Sequence, residues 1–181
     1  MIPFKDAETP RYRTPYINII LIGINAFVFL YMIFLTDLET IAVQYRYGLI
    51  ASELLKGGNL DYLSLNSQSG LLRLDISTPV PTWATIFTSM FLHGGWMHFL
   101  GNMLYLWVFG DNMESRLGHF PYLFFYIITG VAAAASQLVV SPDSNIPLIG
   151  ASGAISGVLG AYLLTYPYHR ITTLVLSLIH I

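Results

Sequence analysis

From Ile146 to Tyr166 the sequence runs for 21 residues without a charge. About 20 helical residues cross the hydrocarbon core of a bilayer, so this run predicts a membrane helix. It is also rich in small residues. Gly153, Gly157 and Ala161 recur every fourth position, as do Ser152, Ser156 and Gly160. Small residues at that spacing let helix backbones approach closely in lipid, which predicts a helix at the centre of a bundle. Ser152 falls in its first turn, with Gly150 and Gly153 around it, just after the loop Ser141-Pro142-Asp143-Ser144-Asn145. Ala154 stands where the second glycine of the G-x-S-x-G elbow would be, so this is not the soluble-hydrolase turn. A serine in a membrane helix ordinarily bonds only a neighbouring carbonyl, so a nucleophilic role needs partners elsewhere in the chain.

Composition agrees with a membrane protein. Only 10% of the 181 residues are charged and 55% are hydrophobic, against roughly 25% charged in soluble domains. The net charge of −2 gives no basic footprint for nucleic acid. There is no cysteine, hence no disulfide framework and no thiolate metal site. The length suits a single domain, residues 1–181.

Residues 1–15 form a polar tail with Lys5, Arg11 and Arg13. The uncharged run Tyr16 to Leu35 predicts the first transmembrane helix, retained rather than cleaved, because no small-residue cleavage site follows. Residues 37–82 read as a long first loop, broken by charges and by Gly57-Gly58-Asn59 and Ser67-Gln68-Ser69-Gly70. Its tyrosines and leucines suggest a folded loop resting in the interface. The apolar stretch Trp83 to Gly110 exceeds one span, and Gly94-Gly95 divides it into a lead-in and a helix starting near Trp96. Phe120 to Val140 gives a third span and the serine segment a fourth. The run after Arg170 is too short to span and predicts a partial fifth helix. The expected architecture is thus an all-α membrane bundle with helices near 16–35, 96–113, 120–140 and 151–166. Basic residues in the tail and at Arg116 and Arg170 put the N-terminus inside, leaving loop 141–145 outside.

His98 and Asn102 are four apart and share one face of the second helix. An imidazole and a carboxamide in lipid are costly and need partners. Both lie near the outer end of their helix, as Ser152 does in its own, so all three can meet at one depth. The plainer alternative is that His98 and Asn102 only hold helices together.

The series His93-Gly94-Gly95-Trp96-Met97-His98-Phe99-Leu100-Gly101-Asn102, then Glu114-Ser115-Arg116-Leu117-Gly118, then Gly150-Ala151-Ser152-Gly153 resembles the rhomboid intramembrane serine proteases. The resemblance covers roughly residues 16–170. It implies that Ser152 is the nucleophile and that His98 and Asn102 help form the oxyanion hole. It further implies that the first loop lies sideways in the outer leaflet, and that single-pass transmembrane proteins are cut near the top of their membrane segments. His93, Gly150 and Gly153 are expected to shape the site, the two glycines by leaving room for substrate backbone. No metal or cofactor is implied. The expected location is a multi-pass one in a membrane, the bacterial inner membrane, with the N-terminus cytoplasmic.

The family takes its base from a histidine on a sixth helix, and the sequence shows no substitute. His119 and His169 fall at cytoplasmic ends, His169 lying about 25 Å along a helix from Ser152. His180 belongs to the partial fifth run. Ser156 stands where some members carry an aromatic residue. The sequence therefore reads as a rhomboid truncated at its C-terminus. Two alternatives are a rhomboid-like pseudoprotease that binds transmembrane segments without cutting, and a transporter fragment with a helix broken at Gly150 to Gly153.

Overall fold

The computed structural model describes residues 2–6, 13–58, 60–67 and 70–174. The elements in chain order are β1 (Ile2–Asp6), α1 (Tyr16–Ile33), α2 (Asp37–Tyr47), α3 (Ala51–Lys56), β2 (Tyr62–Ser67) and β3 (Gly70–Asp75). They continue with α4 (Thr85–Thr88), α5 (Trp96–Tyr105), α6 (Asp111–Leu117), α7 (His119–Val140), α8 (Ser152–Thr165) and β4 (Ile171–Leu174). The chain is mostly helical, with two small two-stranded sheets. Among the described residues two helices, Tyr16–Ile33 and His119–Val140, are long and apolar enough to cross a membrane. The expectation of four spans is met on those grounds by these two. α8 is apolar but 14 residues long, shorter than the about 20 a full span takes.

The first loop carries structure of its own. α2 opens on a capping box: Glu39 N–H donates to the Thr36 hydroxyl, and Glu39 Oε2 accepts from Thr36 N–H at 2.8 Å. α3 stops at Gly57, whose φ of +70° suits a residue without Cβ. β2 and β3 then pair antiparallel, with Leu63 opposite Leu74 and Leu65 opposite Leu72. Cross-strand partners share a face and neighbours alternate, so four leucines line one side of this hairpin and the Ser64–Arg73 pair the other.

The hairpin is tied down at Asp75. Its Oδ1 accepts from the Ser77 hydroxyl at 2.6 Å and from Ser77 N–H at 2.9 Å, and its Oδ2 faces Arg46 at 3.1 Å. The Ser77 hydrogen bonds first, and Arg46 after them, hold the Asp75 carboxyl below its ordinary value of 3.8. A depressed carboxylate stabilises the folded loop above that ordinary value and loses the contribution as pH falls through the folded value. Glu53 in α3 has the opposite sign: burial foremost pushes its carboxyl up, against the hydrogen bond from Leu60 N–H. It therefore does not add to acid opening. Limited proteolysis of residues 60–77 is expected to be steady from neutral pH downward and to accelerate only below about pH 4. Loop cleavage that quickens between neutral pH and pH 5 would contradict this anchoring.

The lead-in forms short helical turns at Thr82–Ala84, α4 and Ser89–Phe91, and the main helix begins at Trp96, as the Gly94-Gly95 pair predicted. From Trp96 the backbone stays helical to Leu117, through a π-helical segment Leu106–Gly110. This is four residues beyond the expected end at 113. Asp111, Asn112, Glu114 and Ser115 of α6 do not stop the helix because they are buried and bonded, and Arg116 stays exposed. Glu114, with no exposed surface, accepts from the backbone N–H groups of Ile17 at 2.9 Å and Asn18 at 2.7 Å and also pairs with His119. It thus caps α1, which has no local side-chain cap. Asn18 in turn donates to Leu106 O within the π segment and accepts from Tyr122 Oη.

α7 and α8 pack closely. A Cβ at Gly157 would meet Thr129, and one at Gly153 would meet Ala133, so the small-residue stripe of α8 buries itself against α7 as its spacing predicted. The expected helical start after residue 170 is not formed. Residues Ile171–Leu174 are a strand, paired antiparallel with β1 from Ile2↔Leu174 to Asp6↔Ile171. Ile171, Thr172 and Thr173 are β-branched and favour extended backbone, and β1 supplies the ladder partner. The expected all-α bundle is thus mostly helical, with these strands, one of them in the polar tail, as the departure from it. Residues 175–181, including His180, lie outside the described residues.

Candidate active site

Ser152 is the first residue of α8 and its side chain is exposed. The chain reaches it through Gly150, whose φ is +116°, a conformation nearly confined to glycine. The absence of a side chain there is also a packing requirement. An ideal Cβ on Gly150 would stand 2.6 Å from His98 Nε2, with Ser152 Oγ 3.8 Å away. The imidazole edge and the serine hydroxyl therefore converge on one small volume beside Gly150. Gly150→Ala adds left-handed strain to an imidazole collision. It is expected to cost about 1–3 kcal/mol from the backbone alone and to displace His98, read as a lower melting temperature in detergent. An unchanged melt would contradict this geometry.

His98 and Asn102 lie one turn apart on α5, and Asn102 Nδ2 donates to His98 O at 2.8 Å. A carboxamide nitrogen has two donors, so the second remains available. The Gly94 N–H makes a long, 3.5 Å approach to His98 Nδ1. An accepting Nδ1 puts the ring proton on Nε2, the nitrogen that faces Gly150. His98, Asn102, Ser152 and Ser156 line a single cavity of about 320 Å³ between α5 and α8, with Tyr105 and Leu159 further along the two helices. Among the described residues no hydrogen bond joins Ser152 to His98 or Asn102. The Ser156 hydroxyl donates to Ser152 O at 2.7 Å, an ordinary within-helix bond.

His93 is 1% exposed and sits behind His98, ring centroids 5.1 Å apart, with Phe29 and Phe99 edge-on to it. A Cβ on Gly153 would stand 2.5 Å from the Ala133 Cβ of α7. The remaining described histidines are elsewhere, His119 against Glu114 and Tyr16 and His169 against Tyr166. No group of three metal-ligating side chains occurs among the described residues.

One set of contacts had no sequence motif to announce it. Gly150 N–H donates to Ser89 O at 2.8 Å, and Leu148 exchanges two backbone hydrogen bonds with Leu49. The residues before the serine are thus held by the lead-in and by the first loop.

A model of the rhomboid domain matches residues 80–180, more than half of the sequence. The chain belongs to the rhomboid family. Rhomboid-like protein 11, chloroplastic, of Arabidopsis thaliana is 33% identical over 89 residues, which are 49% of this chain and 31% of that protein. Rhomboid protease GluP of Bacillus subtilis is 38% identical over 81 residues, 45% of this rhomboid and 15% of GluP. Rhomboid protein 1, mitochondrial, of Saccharomyces cerevisiae is 32% identical over 91 residues, 48% of this chain and 26% of that protein. The matched part thus spans a third or less of these relatives' lengths. No solved structure matches the chain. Rhomboid family members are integral membrane proteins, and the two long apolar helices of this rhomboid accord with that.

Proposed function

We propose that this rhomboid is an intramembrane serine endopeptidase that cleaves single-pass transmembrane proteins. The observation that carries the proposal is the convergence of Ser152 Oγ and His98 Nε2 beside Gly150, in the cavity that Asn102 also lines. Ser152 Oγ is the nucleophile. It stands at the N-terminus of a 14-residue helix, whose free N–H groups and dipole favour negative charge there. His98 Nε2–H and the second Nδ2 hydrogen of Asn102 are the donors for the oxyanion that develops on the scissile carbonyl oxygen. His93 braces the His98 ring.

Serine attack needs a base to take the hydroxyl proton. His98 is the one described histidine lining the Ser152 cavity. Assigning it to the oxyanion leaves the base to a residue outside the described set. The cavity mouth between α5 and α8 receives the substrate, and Ser152 near the outer end of α8 sets the cut near the outer end of the substrate's membrane segment. The N-terminus is on the cytoplasmic side, and a bacterial inner membrane suits the GluP-like sequence. Chloroplast and mitochondrial relatives make organelle membranes the alternative.

A fluorophosphonate probe tests the nucleophile directly. In the full-length protein in detergent, peptide mass analysis should find the adduct on Ser152, lost in Ser152→Ala and kept in Ser156→Ala. An adduct on another residue, or none in a folded protein, would overturn the assignment.

A further inference from the structure

We propose that Gly48 and Leu49 of the first loop are positioning residues for the Ser152 hydroxyl, a role that rests on Ser152 being the nucleophile. The serine is reached through residues 147–151, and that segment is gripped from one side by the end of α2. Leu49 N–H donates to Leu148 O at 3.0 Å, and Leu148 N–H returns a bond to Leu49 O at 2.8 Å. Two residues on, Gly150 N–H bonds Ser89 O. The Thr88 hydroxyl, on the residue preceding Ser89, donates to Tyr47 O at 2.6 Å. Tyr47, Gly48 and Leu49 therefore hold both the serine's own segment and the carbonyl that anchors Gly150.

Gly48 is what permits this approach. A Cβ there would lie 2.7 Å from Pro147 Cβ and 3.1 Å from Ile149 Cγ2, and would also press on Gln44 O, the carbonyl that accepts the Gly48 N–H. Contacts under 3 Å to a proline ring and to backbone cannot be absorbed by a rotamer change. The segment 147–149 has to move outward, and Gly150 and Ser152 follow it. The φ of Gly48 is −77°, so alanine needs no left-handed backbone; its Cβ presses on Gln44 O and Pro147 together, so the end of α2 and segment 147–149 have to part. Leu49 is 2% exposed, so the bridge is shielded from competing water.

The test uses the full-length protein and reads position separately from activity. With cysteine placed at 152 (Ser152→Cys) in a background without other accessible cysteines, alkylation by a water-soluble maleimide reports where that side chain stands. Adding Gly48→Ala should change the alkylation rate about threefold or more. Adding Gly58→Ala, where a Cβ meets nothing within 4 Å, should leave it unchanged. In the Ser152 protein, Gly48→Ala should lower kcat about tenfold or more, since a misplacement on the order of 1 Å can cost 10²-fold, with KM within about twofold. If Gly48→Ala fails to fold, the pair Leu49→Cys and Leu148→Cys replaces it. Residues that exchange both hydrogen bonds in an antiparallel pair have Cα atoms about 5.5 Å apart, within disulfide reach. The pair should cross-link on oxidation, and kcat should be higher in the oxidised than in the reduced pair, because the cross-link holds segment 147–151 in place. A Gly48→Ala protein with unaltered alkylation and kcat, or a Leu49/Leu148 pair that does not cross-link, would overturn the proposal. Alkylation that responds to Gly48→Ala in a protein whose cleavage survives Ser152→Ala would leave the positioning intact and remove the nucleophile assignment instead.

Discussion

Replacing Glu114 with alanine is expected to cost about 3–5 kcal/mol, the range for removing one partner of a buried charged or hydrogen-bonded group. Its carboxyl group has no exposed surface and accepts from Ile17 N–H, Asn18 N–H and the His119 ring. Two elements therefore lose an acceptor together, the start of α1 and the start of α7. The Asn18 N–H is buried and bears its full desolvation cost, and the Ile17 N–H is part-buried and bears less. Asn18 is then less firmly held, and with it the bonds to Leu106 O in the π segment and to Tyr122 Oη. At roughly 2–4 °C per kcal/mol for a chain of this size, the melting temperature in detergent should fall by roughly 10 °C. Glu114→Gln keeps one acceptor oxygen and should lose clearly less. A melt for Glu114→Ala within a degree or two of the parent would show that α1 is capped by something else.

His98→Ala and Asn102→Ala are each expected to lower kcat about 10²–10³-fold, the effect of deleting one oxyanion donor, with KM changed by no more than about twofold. The reason is the direction of the donors. His98 Nε2 is the nitrogen turned to Gly150, and Asn102 has one amide hydrogen committed to His98 O and one left for the cavity. A donor aimed where charge develops acts in the transition state rather than on bound substrate, so the loss falls on kcat. The double replacement should lose less than the product of the two, because donors to one oxygen act as a unit. A rise in KM with kcat preserved would make these residues substrate contacts instead.

The residues of this site were legible in the sequence because each signal is local. The i, i+4 spacing of His98 and Asn102 fixes a common face, and the glycines around Ser152 and the uncharged run mark its helix. α1, α7 and α8 follow from charge-free runs for the same reason. What escaped the sequence depends on partners far along the chain. The charges of α6 look like a helix end until Glu114 meets the N–H groups of residues 17 and 18. β4 forms because its partner is β1 at the other end of the chain. The hairpin is an intermediate case. The alternation Leu63, Leu65, Leu72, Leu74 and the turn-forming Ser67-Gln68-Ser69-Gly70 are both in the sequence, but a period-2 pattern this short does not by itself distinguish strands from loop. Gly153 shows a related limit: the sequence marks it as small, and only packing shows Ala133 of α7 beside it.

The claim that Ser152 is the nucleophile of an intramembrane protease is tested most directly in liposomes. The full-length rhomboid is reconstituted with a single-pass transmembrane protein, and product and cut position are read by mass. Cleavage near the outer end of the substrate's membrane segment is expected, falling by about 10⁴-fold or more in Ser152→Ala, as for loss of the nucleophile from a catalytic unit. Cleavage that persists in Ser152→Ala, or a folded protein that binds the segment and never cuts it, would contradict the account.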